Sequence, residues 1–216
     1  MGTQRDIVIE GLRELLVTGD YRTGETLSEN ELAKRFGTSR TPIREAVAIL
    51  AHEGLIEQIP QVGIRVRPAD RSEVNELVNL RGAVEKAAAA ALCERRSMAD
   101  IQALTKLVEA MAVAEQACDK VAFLDADTEF HSKIAELAGL RQAATMLRSI
   151  RDRIRILGLD AIETDSNMQD VLREHRNIVS ALETWDSAQA DVAIEAHLAR
   201  TGERLFAAAA AQGRDV

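Results

Sequence analysis

Two helix-start signals with a glycine stop between them lie within residues 27 to 46, and this spacing constrains the fold more than any other feature of the chain. In Leu27-Ser28-Glu29-Asn30-Glu31-Leu32-Ala33-Lys34-Arg35-Phe36-Gly37 the Ser28 hydroxyl can cap a helix, while Glu31 reaches back to the Ser28 amide. Gly37 can adopt the left-handed conformation that closes that helix. In Thr38-Ser39-Arg40-Thr41-Pro42-Ile43-Arg44-Glu45-Ala46, Ser39 or Thr41 can cap a second helix. Pro42 is tolerated in its first turn, where amides have no intrahelical partner. Ile43, Val47 and Leu50 then share one face, so two helices meet across a short turn with helix-turn-helix spacing.

Arg40, Thr41 and Arg44 lie off that apolar face, near the amino end that meets base edges when such a helix enters a major groove. Ser39 and Arg35 adjoin them, and Lys34, Arg35, Arg40 and Arg44 carry four positive charges with no acidic residue among them. After Gly54 the chain runs Leu55-Ile56-Glu57-Gln58-Ile59-Pro60, turns at Gln61-Val62-Gly63 and returns as Ile64-Arg65-Val66-Arg67. The alternation predicts a two-stranded wing with Ile64 and Val66 inward. Gly63 would let the backbone approach a phosphate or groove floor. The expected DNA contacts are therefore Arg35, Ser39, Arg40, Thr41, Arg44 and Gly63.

The charge is local. The whole chain carries a net −8, and residues 1 to 70 hold 9 basic against 11 acidic residues, which disfavours a protein that coats nucleic acid nonspecifically. Binding should instead depend on a specific, two-headed contact. The 216 residues and 46% hydrophobic content fit two domains better than one. Cys93 and Cys118 form no Cys-x-x-Cys pair and read as small core fillers, consistent with a reducing cytoplasm. No apolar run predicts a signal peptide or membrane span.

Pro68 ends the wing, and Asp70 with Glu73 gives a new helix start, which predicts a DNA-binding domain over 1–69 and a second domain over 70–216. Helical periodicity predicts six segments in the latter, at 71–95, 98–117, 119–137, 141–159, 165–184 and 186–211. The expected fold is thus mainly α: a winged helix-turn-helix followed by a six-helix antiparallel bundle.

Several polar residues interrupt the apolar stripes of that bundle. Asp127 and His131, one turn apart, share the stripe of Phe123, Leu124, Phe130, Ile134 and Leu137. His175 lies among Val171, Leu172, Ile178, Val179 and Leu182, and His197 lies beside Ile194 and Leu198. Burying these groups unpaired would cost on the order of 1 to 3 kcal/mol each, and more for an ionised aspartate. Convergence on one divalent cation removes that cost. Zinc leads, and nickel and manganese are also compatible with three nitrogens and one oxygen. Arg81 shares a side with Leu77, Val84 and Ala88 and needs an anion, either a carboxylate ligand or an acidic residue of the bundle. Arg148, Arg151 and Arg155 read as surface or interdomain ion pairs, and His52 as a surface residue.

The Leu-x-Glu-x-x-Leu-Ala helix followed by Ser-Arg-Thr-Pro-x-Arg-Glu-Ala resembles the GntR transcriptional regulators. Residues 70 to 211 resemble, in helix pattern, the FCD effector domain of the FadR-type branch, in its six-helix, VanR-like version. That resemblance implies Asp127, His131, His175 and His197 as metal ligands and Arg81 as an effector contact. It implies a homodimeric cytoplasmic regulator, a repressor by default, that binds a palindromic operator and is released by a small organic acid. Two other readings remain: the metal itself is the signal, or the cluster is a metal-dependent enzyme site. No general base can be nominated for the latter.

Overall fold

A computed structural model describes residues 3–18, 20–21, 24–60, 62–67, 71–158 and 165–211. The chain divides into two compact units, one of residues 1–69 with 155–159, the other of residues 70–154 with 160–216. Pro68 and Asp70, the expected boundary signals, lie outside the described residues.

The first unit contains α1 (Gln4–Val17), β1 (Thr26–Leu27), α2 (Glu29–Arg35), α3 (Arg40–His52), β2 (Ile56–Ile59) and β3 (Gly63–Val66). Helix α1, which the periodicity reading did not delimit, starts at a Thr3 cap reciprocated by Asp6. The expected capping box of α2 forms: Glu31 N–H donates to Ser28 Oγ at 3.2 Å, and Ser28 N–H donates to Glu31 Oε2 at 3.0 Å. Phe36 caps its other end, and Gly37 follows at φ +59°. Ser39 precedes α3 in extended conformation, but its side chain makes no capping hydrogen bond. Ile43, Ala46, Val47 and Leu50 of α3 pack with Val8, Leu12 and Leu16 of α1 and with Leu32, Leu55, Ile56, Ile64 and Val66.

The predicted hairpin gains a third strand. β3 lies between β1 and β2, antiparallel to both, with Leu27 opposite Ile64 and Gln58 opposite Ile64 on its other edge. At Gly63, φ +139°, a Cβ would lie 2.0 Å from the Leu27 carbonyl oxygen, so this glycine lets the chain's own β1 approach closely.

The second unit is helical: α4 (Arg71–Arg95), α5 (Met98–Gln116), α6 (Lys120–Leu137), α7 (Arg141–Gly158, which from Arg155 onward is grouped with the first unit), α8 (Asp165–Glu183) and α9 (Ser187–Ala211). Helix α4 packs on α6 and α9, α5 on α6 and α8, and α8 on α9. Leu92, Leu104, Met111, Phe123, Phe130, Ile134, Leu147, Met168, Ile178, Leu182 and Ile194 belong to its apolar core. Cys93 is buried there as expected, whereas Cys118 is exposed because it sits beyond the end of α5 in a left-handed turn conformation, φ 53°. Among the described residues no helix is long and apolar enough to cross a membrane.

Gly63→Ala must push β1 off β3, an overpacking that costs roughly 1 to 3 kcal/mol. Denaturant unfolding of the variant should show that loss, and wild-type stability would contradict the close packing.

Candidate metal centre and nucleic-acid interface

All four residues expected as ligands are buried in the second unit, and one donor atom from each lies within 4.8 Å of the other three. His131 Nε2 lies 3.0 Å from His175 Nε2. Asp127 Oδ1 is 3.0 Å from His175 Nε2 and 3.7 Å from His131 Nε2. Donors bound about 2 Å from one ion lie roughly 3 to 4 Å apart, so these separations suit a shared cation.

The opposite edge of each imidazole decides what the cluster can hold. His175 Nδ1 lies 2.8 Å from the Val171 carbonyl of its own helix, which can only accept, so Nδ1 carries the proton. His131 Nδ1 donates to Glu85 Oε2 at 2.9 Å and His197 Nδ1 to Glu174 Oε2 at 2.8 Å. A neutral imidazole protonated on Nδ1 has a bare lone pair on Nε2. Three such lone pairs and a carboxylate oxygen therefore lie in one cluster, the His197 lone pair accepting from Arg81 at 3.1 Å, and the outer hydrogen bonds are of the kind that orient metal-ligating histidines.

Protons do not readily relieve this repulsion. Burial pushes His131, His175 and His197 below the ordinary imidazole value, the last two far below it, and neighbouring positive groups add to the effect. Burial pushes Glu85 up, but Arg81 and then His131 outweigh it and hold the carboxylate well below its usual range. The donor set therefore fits a divalent ion. Phe130 meets His131 and His175 edge-on, with ring centroids 5.2 and 4.8 Å apart.

Arg81 is 1% exposed, pairs with Glu85 one turn away, and places a terminal nitrogen 3.1 Å from His197 Nε2. It thus has its acidic partner in the bundle and also borders the cluster. Arg151 corrects the surface reading: it is buried and pairs with Asp127 Oδ2, leaving Oδ1 toward the histidines. The helical period of α7 carries it inward, whereas Arg148 pairs at the surface with Glu136. Glu85, Glu174 and Arg151 were not assigned to the site in advance. The Arg81-x-x-x-Glu85 spacing and the Glu174-His175 adjacency were the available signals.

In the first unit Arg40, Arg44 and Gly63 line one groove of about 430 Å³ between α3 and the wing, with Gln58 and Pro60 on its far wall. Ser39 and Thr41 border a different concavity, beside Thr3, Gln4 and Arg5 at the start of α1. Arg35 is turned elsewhere: its guanidinium donates to Asp20 at 2.7 Å and to the Tyr21 hydroxyl at 2.9 Å. His52 is exposed, as expected.

The chain thus carries a winged helix-turn-helix unit and a helical unit that holds a buried Asp/His cluster. The FCD domain family matches residues 76–200, and the bacterial regulatory proteins of the gntR family match residues 4–66. An HTH-type transcriptional regulator in an unstable DNA locus of Streptomyces ambofaciens is 32% identical over 90% of this chain and 81% of its own. A probable D-xylose utilization operon transcriptional repressor of Paenarthrobacter nicotinovorans is 31% identical over 90% of this chain and 87% of its own. In fold, the chain is similar to E. coli McbR/YncC, with a TM-score of 0.84 at 19% identity, covering 96% of this chain and 99% of the other. The chain belongs to the GntR family of transcriptional regulators and carries an FCD domain.

The depressed histidines make a stability prediction. Below pH 6.5 an unfolded chain binds protons that the folded, metal-stripped chain refuses, so stability present above that value is lost as pH falls. Denaturant unfolding between pH 8 and 5 should show this decline. His175→Asn should flatten it by up to about 1.4 kcal/mol per pH unit, and an equal slope in both proteins would contradict the burial of neutral imidazoles.

Proposed function

We infer that this regulator is a sequence-specific repressor whose operator affinity is set by a small carboxylate held at a metal in the helical domain. The observation that supports it best is the anchoring of all three imidazoles through Nδ1, which puts their Nε2 atoms in one cluster with Asp127 Oδ1, with Arg81 against the His197 Nε2. In this reading residues 1–69 form the DNA-binding domain and residues 70–216 the effector-binding and dimerisation domain. Asp127, His131, His175 and His197 hold the ion, zinc by preference, and the repressor named among the relatives supports the sign.

A bound divalent ion would offer an electrophilic point to an oxygen ligand. The protein's part is positional. Glu85, Val171 and Glu174 fix the imidazole tautomers, Arg151 holds the second oxygen of Asp127, and Arg81 presents a buried cation at the rim that can meet a carboxylate in fork geometry. At the DNA end, Arg40, Arg44 and Gly63 share the groove between α3 and the wing, while Ser39 and Thr41 serve as flanking backbone contacts, and Arg35 would join them by exchanging Asp20 for a phosphate.

Two copies of the chain, as a cytoplasmic homodimer, would engage half-sites of a palindromic operator about one helical turn apart. The acid must bind the DNA-competent and DNA-incompetent geometries of that dimer unequally. Tenfold release requires about 1.4 kcal/mol of difference between them.

Arg40→Ala or Arg44→Ala should weaken binding to the preferred duplex by about 1 to 3 kcal/mol, measured by fluorescence anisotropy. Unchanged specific affinity in both variants would remove the recognition-helix assignment. For the input side, DNA affinity should respond to di- and tricarboxylic acids while the metal stays bound. If chelation alone switches DNA binding and no acid does, the metal is the signal instead.

A further inference from the structure

Glu29 opens helix α2 and takes no part in its capping box, which is made by Ser28 and Glu31. Its side chain turns instead into the groove between α3 and the wing, where it is 22% exposed against 56% for Arg40 and 65% for Arg44. One oxygen, Oε2, accepts from Arg40 at 3.0 Å and from Arg44 at 2.9 Å. Among the described residues that line this groove, these three are the charged ones, so the groove holds two cations and one anion. The hydrogen bond from Arg40, the first of these contacts, together with that from Arg44, holds the Glu29 carboxyl below its usual range, so it is ionised at neutral pH.

The donors used matter more than the pairing. Arg44 is held through Nε, which leaves its two terminal amino groups, the edge that forms a bidentate fork with guanine O6 and N7. Arg40 is held through one terminal nitrogen and keeps its other donors. An arginine tethered by its Nε loses rotamer freedom before DNA arrives, so less entropy is lost when the fork meets a base. The same carboxylate also lowers the groove's charge, and charge alone binds any phosphate regardless of sequence.

We propose that Glu29 is a positioning residue that determines specificity: it aims Arg40 and Arg44 at base edges and cancels one of the two charges that would otherwise favour any DNA. This rests on the reading of Arg40 and Arg44 as base contacts. An ordinary exposed ion pair contributes little and would not change discrimination.

The test compares two probes: the duplex that the intact protein selects from a randomised pool, and a scrambled duplex of the same composition. Glu29→Gln keeps the shape but loses the charge. It should lower the ratio of selected to scrambled affinity about tenfold and steepen the salt dependence on the scrambled duplex by about one unit of log–log slope. Glu29→Asp keeps the charge but shortens the reach, so it should lower the ratio while leaving the salt slope at the wild-type value. In a protein already carrying Arg40→Ala and Arg44→Ala, Glu29→Gln should leave the ratio unchanged.

A ratio within twofold of wild type in both single variants would overturn the proposal, as would an equal effect of Glu29→Gln in the arginine-free background. Failure of the underlying reading has a different signature. In that case Arg40→Ala and Arg44→Ala themselves leave the ratio unchanged, or the pool yields no preferred sequence.

Discussion

Three imidazole lone pairs and a carboxylate oxygen buried in one cluster need positive partners: Arg81 meets the His197 lone pair and Arg151 the Asp127 carboxylate, while the Nε2 atoms of His131 and His175 lie 3.0 Å apart. The helical unit is organised around that constraint. Each histidine is fixed from behind by an acceptor: His131 by Glu85 on α4, His175 by the Val171 carbonyl of its own α8, and His197 by Glu174, also on α8. Those acceptors are stabilised in turn, Glu85 by Arg81 and Glu174 by Arg204. The polar network thus ties α4, α6, α8 and α9 together through side chains that would each be costly to bury alone.

The balance of charge around the cluster explains why the arginines are buried with it. Asp127, Glu85 and Glu174 face Arg151, Arg81 and Arg204, so the surrounding groups are close to neutral before any ion is counted. A divalent ion placed at the histidines then has an unmatched charge. That excess is what a small organic anion can satisfy, which links the buried geometry to the effector class inferred for this regulator.

Much of this was legible in the sequence because two periodicities and one capping pattern carried it. The Ser28 to Glu31 box and Gly37 set the limits of α2, and the six bundle segments matched the observed helices closely because their apolar stripes are long. Asp127, His131, His175 and His197 were found as polar residues on those same stripes. The residues behind them were not, because Glu85, Glu174 and Arg151 act across helices, and charged residues on a helix ordinarily read as solvated. Strand β1 is two residues long and has no period to detect, so neither the third strand nor the packing of Gly63 against Leu27 is legible in the sequence. Nor does the sequence show that Asp20 and Tyr21 hold the Arg35 side chain, since that pairing joins residues 14 and 15 positions apart.

The ion itself is the most direct test of this account. Metal content measured on the purified protein by plasma mass spectrometry, alongside a variant carrying His131→Ala and His175→Ala, addresses it without knowledge of the effector. The account predicts about one divalent ion per chain, consistent with a single four-ligand site, and loss of that ion in the double variant. A wild-type protein that neither arrives with a divalent ion nor takes one up from solution, yet stays fully stable, would contradict it.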